Sequence, residues 1–382
     1  MRLLFIGIAL AFLFNSCSKN TEKENEFSDQ LSFSLDTVYV DPGDEILYLQ
    51  DNLYLTDLSA DKSYLINFNR KDLIAERINL NELKLEKLIP FEKEGPNGTP
   101  PYFSAFSLNL NEQLMVWSYQ FYSIFDQNAK KVRDLGLEKI AVDYLAGSEF
   151  YPKMIFEDPI QPDRLLGVFI DWKENGYFIL DFDLKRKEFK KTNLPEMNKL
   201  QEYSTDIILD GQSVGSYGVG VYAIATNGNI ILTNNAFNEA VIYDTNKDST
   251  YVKNWDTPLL GARKNYTPPK QVDYSSGEKE EVMRNSMEEI DYGKLIWDEA
   301  EKRFYRFSNK QQFGEEKTKS GRYIATGADV YLNIFDEELN ILAETLVPQL
   351  NAPPKKHFVK DGKIWIFENI DDEMAFVQLT IE

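Results

Sequence analysis

The sequence predicts an all-β fold: a six-bladed β-propeller whose N-terminal strand completes the last blade. Three observations lead there. The composition is rich in aromatics, one motif recurs five times at near-constant spacing, and the chain ends divide the strands of one blade between them.

Aromatic residues make up 13% of the 382 residues, with 25 Phe and 21 Tyr. Such residues favour pleated strands and fill a core well. The motif puts an aliphatic and aromatic run before Asp or Asn, then a polar turn and another strand. Its copies end at Asn69, Asp126, Asp183, Asp244 and Asp336. Those positions are separated by 57, 57, 61 and 92 residues (69 to 126, 126 to 183, 183 to 244, 244 to 336). The long interval contains a polar segment, residues 258–291, with Pro268-Pro269, Ser275-Ser276-Gly277 and the run Glu278-Lys279-Glu280-Glu281. Setting it aside restores the period. Four strand-like runs per repeat of this length are the mark of a propeller blade.

The second repeat shows the expected order: strands near 102–108, 113–119, 122–126 and 131–135. The Asp closing the third run suits a tight turn, because its side chain can accept the backbone N–H two residues on. The first blade is expected from runs at 45–50, 53–58, 64–69 and 75–80, and the fifth from 294–298, 303–308, 331–336 and 342–347. The C-terminus supplies only three runs, 357–360, 363–369 and 375–381. Residues 31–40 supply the fourth, with alternating Phe33, Leu35, Val38 and Val40. Closing the ring between the chain ends removes open strand edges. Seven blades is the alternative count, if the polar segment hides strands. A pair of β-sandwiches would not predict so regular a spacing. Within the inserted segment, residues 279–290 are expected to form a short helix with Val282, Met283, Met287 and Ile290 near one face.

The first residues carry an address. Arg2 precedes an apolar run, Leu3 to Phe14, with Ser16 and Cys17 behind it. The run fits a signal peptide and is too short to span a bilayer, which takes roughly 20 apolar residues. Ser16-Cys17 resembles the bacterial lipobox, which implies cleavage before Cys17 and lipid on that cysteine. Asn15 is an unusual occupant of such a box, though looser boxes are familiar among Bacteroidota-type lipoproteins. Cys17 is the sole cysteine, so no internal disulfide forms. The expected organisation is a signal peptide at 1–16, a flexible polar tether at 17–30, and a propeller at 31–382 with a rim insertion at 258–291. The expected place is the cell outer membrane, lipid-anchored, on either side.

The lipobox, the turn Glu94-Gly95-Pro96-Asn97-Gly98 after the first blade, and the strand Lys302-Arg303-Phe304-Tyr305-Arg306-Phe307 after the insertion together resemble an uncharacterised domain-of-unknown-function family of Bacteroidota lipoproteins. That resemblance covers essentially the whole chain. It implies a six-bladed propeller and an envelope location, and it implies no activity.

The chemistry is mostly negative. A formal charge of −20 argues against nucleic acid, whose affinity rests on neutralising phosphates. One histidine, His357, and one cysteine leave no Ser/His/Asp or Cys/His arrangement evident, and no zinc set. His357 reads as a packed aromatic at the start of an inner strand. The acidic residues Asp181/Asp183 and Asp371-Asp372-Glu373 match no calcium-loop spacing. Residues 215–220, rich in glycine, lie in an all-β context and read as a loop feeding an inner strand. No metal or cofactor is expected. Trp117, Trp172 and Trp365 fall inside predicted strands and are assigned to the core. Trp255, beside the insertion, is expected at the surface, and with Arg263, Lys264 and Tyr266 it forms the candidate ligand-binding group. Three functions stay open: a non-catalytic propeller binding a ligand, glycan or envelope protein; a carboxylate-dependent glycoside hydrolase or lyase; and a structural subunit of an outer-membrane complex.

Overall fold

The structure, a computed structural model, describes residues 31–100, 105–172 and 176–382. The expected signal peptide at 1–16, Cys17 and the expected tether lie outside the described residues. Strand β1 (Phe33–Tyr39) comes first. The first four-stranded sheet is β2 (Thr56–Leu58), β3 (Tyr64–Asn69), β4 (Ile74–Asn79) and β5 (Lys84–Pro90). The second is β6 (Ala105–Leu108), β7 (Leu114–Ser118), β8 (Phe121–Phe125) and β9 (Lys131–Asp134). Two short helices, α1 (Leu137–Ile140) and α2 (Val142–Leu145), lead to the third: β10 (Phe150–Glu157), β11 (Arg164–Asp171), β12 (Gly176–Asp183) and β13 (Glu188–Asn193). A 3₁₀ helix, Pro195–Tyr203, then precedes β14 (Thr205–Leu209) and β15 (Gln212–Tyr217).

The fourth sheet is β16 (Val221–Thr226), β17 (Asn229–Asn234), β18 (Glu239–Asp244) and β19 (Ser249–Asn254). After it come β20 (Gln271–Asp273) and α3 (Glu278–Glu288). The fifth is β21 (Asp291–Asp298), β22 (Arg303–Lys317), β23 (Tyr323–Phe335) and β24 (Ile341–Leu346). The sixth is β25 (His357–Lys360), β26 (Lys363–Ile370) and β27 (Glu373–Ile381), completed by β1 on the far side of β27. Among the described residues all six four-stranded sheets are antiparallel, five as plain meanders and the sixth as a three-stranded meander closed by β1.

Six apolar clusters knit each sheet to the next. Phe68 meets Phe106 between sheets one and two, with ring centroids 5.9 Å apart. Trp117 and Tyr122 pack with Phe169 and Phe178 between two and three. Val168 and Ile179 pack with Val221 and Leu232 between three and four. Ile231 and Ile242 pack with Leu295 and Phe335 between four and five. Phe307 and Leu332 pack with Val359 and Ile366 between five and six. The last cluster brings Phe367 and Phe376 of sheet six back to Leu65 and Ile78 of sheet one. Middle strands are therefore buried on both faces, which explains why Tyr64–Asn69 is buried at every residue. Leu65 faces sheet six and Ile66 faces sheet two, the alternation a strand dictates. First strands of neighbouring sheets also touch: β2 with β6, β16 with β21, and β21 with β25.

The recurring Asp or Asn closes the third strand in sheets two to five, and its side chain holds the turn. Asp126 Oδ1 accepts the N–H of Asn128 at 2.8 Å and Asp244 Oδ1 that of Asn246 at 3.0 Å. Asp183 accepts from Arg186 at 2.9 Å and Asp336 from Asn340 at 2.7 Å. Sheet one departs from the expectation. Asn69 closes its second strand; the third ends at Asn79, whose Oδ1 accepts the N–H of Asn81 at 2.9 Å. The run 45–50 forms no strand, and Lys84–Pro90 takes the outer place instead. Charged, exposed residues in Lys84–Pro90 hid its alternation, while Tyr48, in the connection before β2, gives its N–H to Glu76 at 2.9 Å.

The polar segment carries the expected helix, α3, whose range is Glu278–Glu288. It also carries β20, which pairs in parallel with β14, so that β15, β14 and β20 make a separate three-stranded sheet. The sequence did not suggest this partnership, because parallel strands so far apart leave no local turn signal.

Candidate functional site

The first strands carry charges that their apolar neighbourhood does not explain. Two of these strands contain a β-bulge, and each bulge displays a lysine. In β10 the register with β11 slips between Pro152 and Met154, leaving Lys153 as the extra residue. In β21 it slips between Tyr292 and Leu295, so Gly293 and Lys294 together oppose Phe307. Bulges re-aim side chains and are enriched beside functional sites. Gly293 is required here: a Cβ on it would meet the Phe307 carbonyl oxygen at 2.2 Å.

Lys294 belongs to a cluster drawn from sheets five, six and one. Lys356, one residue before β25, donates Nζ to the Thr56 carbonyl at 2.7 Å. Asp57 of β2 accepts the N–H of Leu108 at 2.8 Å, which ties it to sheet two. Among the described residues, Lys294 Nζ has no hydrogen-bond acceptor. Lys294, Lys356 and Asp57 are each half-buried.

Their protonation is mutually biased. Burial, then the neighbouring Lys356 charge, pushes Lys294 down to about 7, against a small restoring pull from Asp57. Burial lowers Lys356, opposed by Asp57. Burial raises Asp57, opposed first by Lys356. His357, beside them in sequence, is buried against Phe307 at 5.2 Å, as a packed aromatic. Its Nδ1 lies 2.7 Å from the Lys355 carbonyl. That contact assigns the proton to Nδ1 and leaves Nε2 as a buried acceptor without a partner among the described residues. Burial and the Lys294 charge hold His357 neutral. Lys153 is half-buried and also lowered by burial.

Lys294 therefore weakens the fold at neutral pH. Its folded value lies below its unfolded value of 10.5, so the unfolded chain binds the proton more tightly. The penalty is complete below pH 7 and fades as pH rises from about 7 toward 10.5. Lys294→Met should be more stable than the parent at pH 7, and the gap should close by pH 10. Urea midpoints of both proteins across that range measure it; an unchanged gap would show that Lys294 is not perturbed.

The surface group expected from sequence is rearranged. Trp255 is 6% exposed and lies in the cluster between sheets four and five. Its Nε1 donates to the Leu339 carbonyl at 3.0 Å, and its ring sits 4.8 Å from that of Phe335. Trp255 is a core residue because β19 turns it inward where the strand ends. Lys264 is buried as well: Nζ reaches Asp291 Oδ1 at 2.9 Å and the Ser286 carbonyl at 3.2 Å, bracing α3 against β21. Arg263 is exposed and Tyr266 half-buried, so the four do not form one surface. The assignment of Trp172 to the core is corrected too. It is 49% exposed, in the turn after β11, and donates Nε1 to the Tyr119 hydroxyl at 2.8 Å beside Tyr151. Trp117 and Trp365 are buried as expected. Among the described residues no group of three or more His, Cys, Asp or Glu is placed to hold a metal.

The lysine cluster escaped the sequence reading. Its signal was a charge interrupting an apolar run, in Gly293-Lys294-Leu295-Ile296-Trp297 and in Lys356-His357-Phe358-Val359.

Repeated four-stranded antiparallel sheets with ionisable groups on their first strands define an all-β repeat protein. The chain belongs to the domain of unknown function family DUF4221, whose model matches residues 27–346. Its fold is similar to that of a DUF4221 member from Bacteroides vulgatus, at a TM-score of 0.64 and 13% identity, covering 92% of this chain and 98% of that one. A protein from Bacteroides fragilis, described as a candidate exported protein, aligns at a TM-score of 0.51 and 10% identity, covering 92% and 95%. No curated protein matches the sequence.

Proposed function

We propose that this protein is a lipoprotein held at the bacterial outer membrane by lipid on Cys17, that its six sheets are the blades of a six-bladed propeller, and that it binds a small anionic ligand between the first strands. Support for the ring comes from the six interlocking clusters, the last of which returns sheet six to sheet one, and from the contacts between first strands. Support for the anchor comes from the residues around Cys17 and, more distantly, from the exported description of the Bacteroides fragilis relative in fold.

One observation carries the ligand reading: Lys294, aimed by a bulge and lacking an acceptor, sits beside Lys356 with Asp57 as the carboxylate acting on both. In a chain of net charge −20, this local cationic excess is out of character. A partly desolvated ammonium without a counter-charge is costly, and an anion would relieve the cost. Glycoside hydrolysis needs two carboxylates, whereas this cluster offers Asp57 alone, so binding is favoured over that chemistry.

Calorimetric titration with glycolate, phosphate and citrate tests the reading. Binding of at least one is expected at pH 7, tenfold or more weaker in Lys356→Met. Binding should take up a proton, because the anion favours charged Lys294, and should weaken as pH rises from 7 to 9. Equal affinity in parent and variant, or no binding of any of the three, would overturn it.

A further inference from the structure

We infer that Lys294 is a nucleophilic amine that captures, as a reversible imine, a small anion bearing an aldehyde or ketone next to its negative group. The inference rests on the anion-binding reading above and names the chemistry of the ligand.

The geometry supports it in three ways. The bulge places Gly293 and Lys294 together opposite Phe307, so Lys294 breaks the regular alternation of its strand. Nζ has no hydrogen-bond acceptor among the described residues, so its lone pair, once the proton leaves, is not committed elsewhere. Lys356 supplies a second cation beside it, already steadied by the Thr56 carbonyl, and can hold the anionic end of the ligand. A neighbouring cation and a desolvated setting are the two conditions that activate a lysine amine. Burial and Lys356 together keep Lys294 near neutrality, so that both its forms are populated at pH 7. The groups acting on its charge are Lys356 and Asp57, and Lys294 in turn acts on His357.

The step balances without an added oxidant or reductant. Neutral Nζ attacks the carbonyl carbon and a C–N bond forms. A proton passes from nitrogen to the former carbonyl oxygen, giving a carbinolamine. That hydroxyl leaves as water with the second nitrogen-bound hydrogen, and C=N remains. Asp57, the carboxylate that acts on Lys294, can take and return the travelling proton. The reverse reaction with water releases ligand and amine unchanged.

Glyoxylate with cyanoborohydride tests this in the full folded chain. The hydride would fix the imine as an N-carboxymethyl group, located by peptide mass mapping. Lys294 is expected to be modified at least tenfold faster than exposed lysines at pH 7. Its rate should reach half its maximum near pH 7, and glycolate should compete. In Lys356→Met the half-maximum should move to higher pH, a shift that a merely structural role for Lys356 would not produce. Modification spread evenly over exposed lysines, with glycolate still bound in calorimetry, would overturn the imine and leave anion binding standing. Failure of the anion that binds in calorimetry to compete would overturn the imine, and failure of glycolate, phosphate and citrate alike to bind would overturn both.

Discussion

Removing residues 31–40 should destroy the native fold. Strand β1 pairs with β27 over seven residues, Phe33 with Ile381 through Tyr39 with Ala375. The pairing continues at both ends, where Ser32 and Glu382 exchange backbone bonds and Val40 donates to the Met374 carbonyl. Phe33 closes the cluster between sheets five and six, and Val40 the cluster between six and one. Burying two such side chains contributes roughly 1.5–3 kcal/mol each. Each ladder bond adds about 1 kcal/mol net. The total approaches the whole stability of a typical domain, about 5–15 kcal/mol. The deletion also bares β27 as an open edge, a template for association. Size-exclusion chromatography and urea unfolding of the chain beginning at residue 41 should show aggregates without a cooperative transition. A monomer unfolding within about 1 kcal/mol of the parent would disprove the account.

Trp255→Ala should cost about 3–5 kcal/mol, the range for truncating a buried aromatic. The upper part of that range is expected. The ring packs on Phe335 at 4.8 Å, and the Arg306 guanidinium lies 5.1 Å from its centroid. Arg306 is fully buried, donates to Asn238 at 2.6 Å and Asn333 at 3.1 Å, and is pushed by burial to about 10. The indole, Tyr292 and Phe335 are the ring faces around that cation. Losing one leaves a cavity and a less compensated charge together. Urea unfolding measures the loss, and glycolate affinity measured well below the transition should be unchanged. A loss under about 1 kcal/mol would return Trp255 to the surface role its sequence position suggested.

The sheets were legible because burial on both faces writes itself into residue type. The strands of sheets two and six were readable within a few residues; alternation marked β1 as a strand, and the three runs at the C-terminus left sheet six one short for it to complete. Sheet one was read out of phase, because Asn69 and Asn79 are both plausible turn residues and only the ladder distinguishes them. The site was much less legible. Lys294 acquires its character from Lys356, sixty-two positions later (294 to 356), and from Asp57 near the other end of the chain. No periodicity encodes that meeting. The exchange of Trp255 and Trp172 between surface and core has a similar origin: both end strands, and which way a terminal residue turns depends on the connection that follows.

The pairing of β14 with β20 has a consequence for how the chain can come apart. These strands belong to the two connections that flank sheet four, and they join Asp206 to Gln271, Ile207 to Val272 and Ile208 to Asp273. Sheet four is thus a loop of chain fastened at its base by a clasp of its own flanking segments. Such a clasp shortens the loop that must be closed when sheet four docks, and it resists partial opening, since sheet four cannot swing out until the clasp parts. Slow amide exchange in Asn229–Asn234 and Glu239–Asp244 should therefore report on the clasp as much as on those strands. Excising residues 258–291 would remove one half of the clasp and leave β14 and β15 without their third strand, so the segment works as a fastener and not as a detachable ornament.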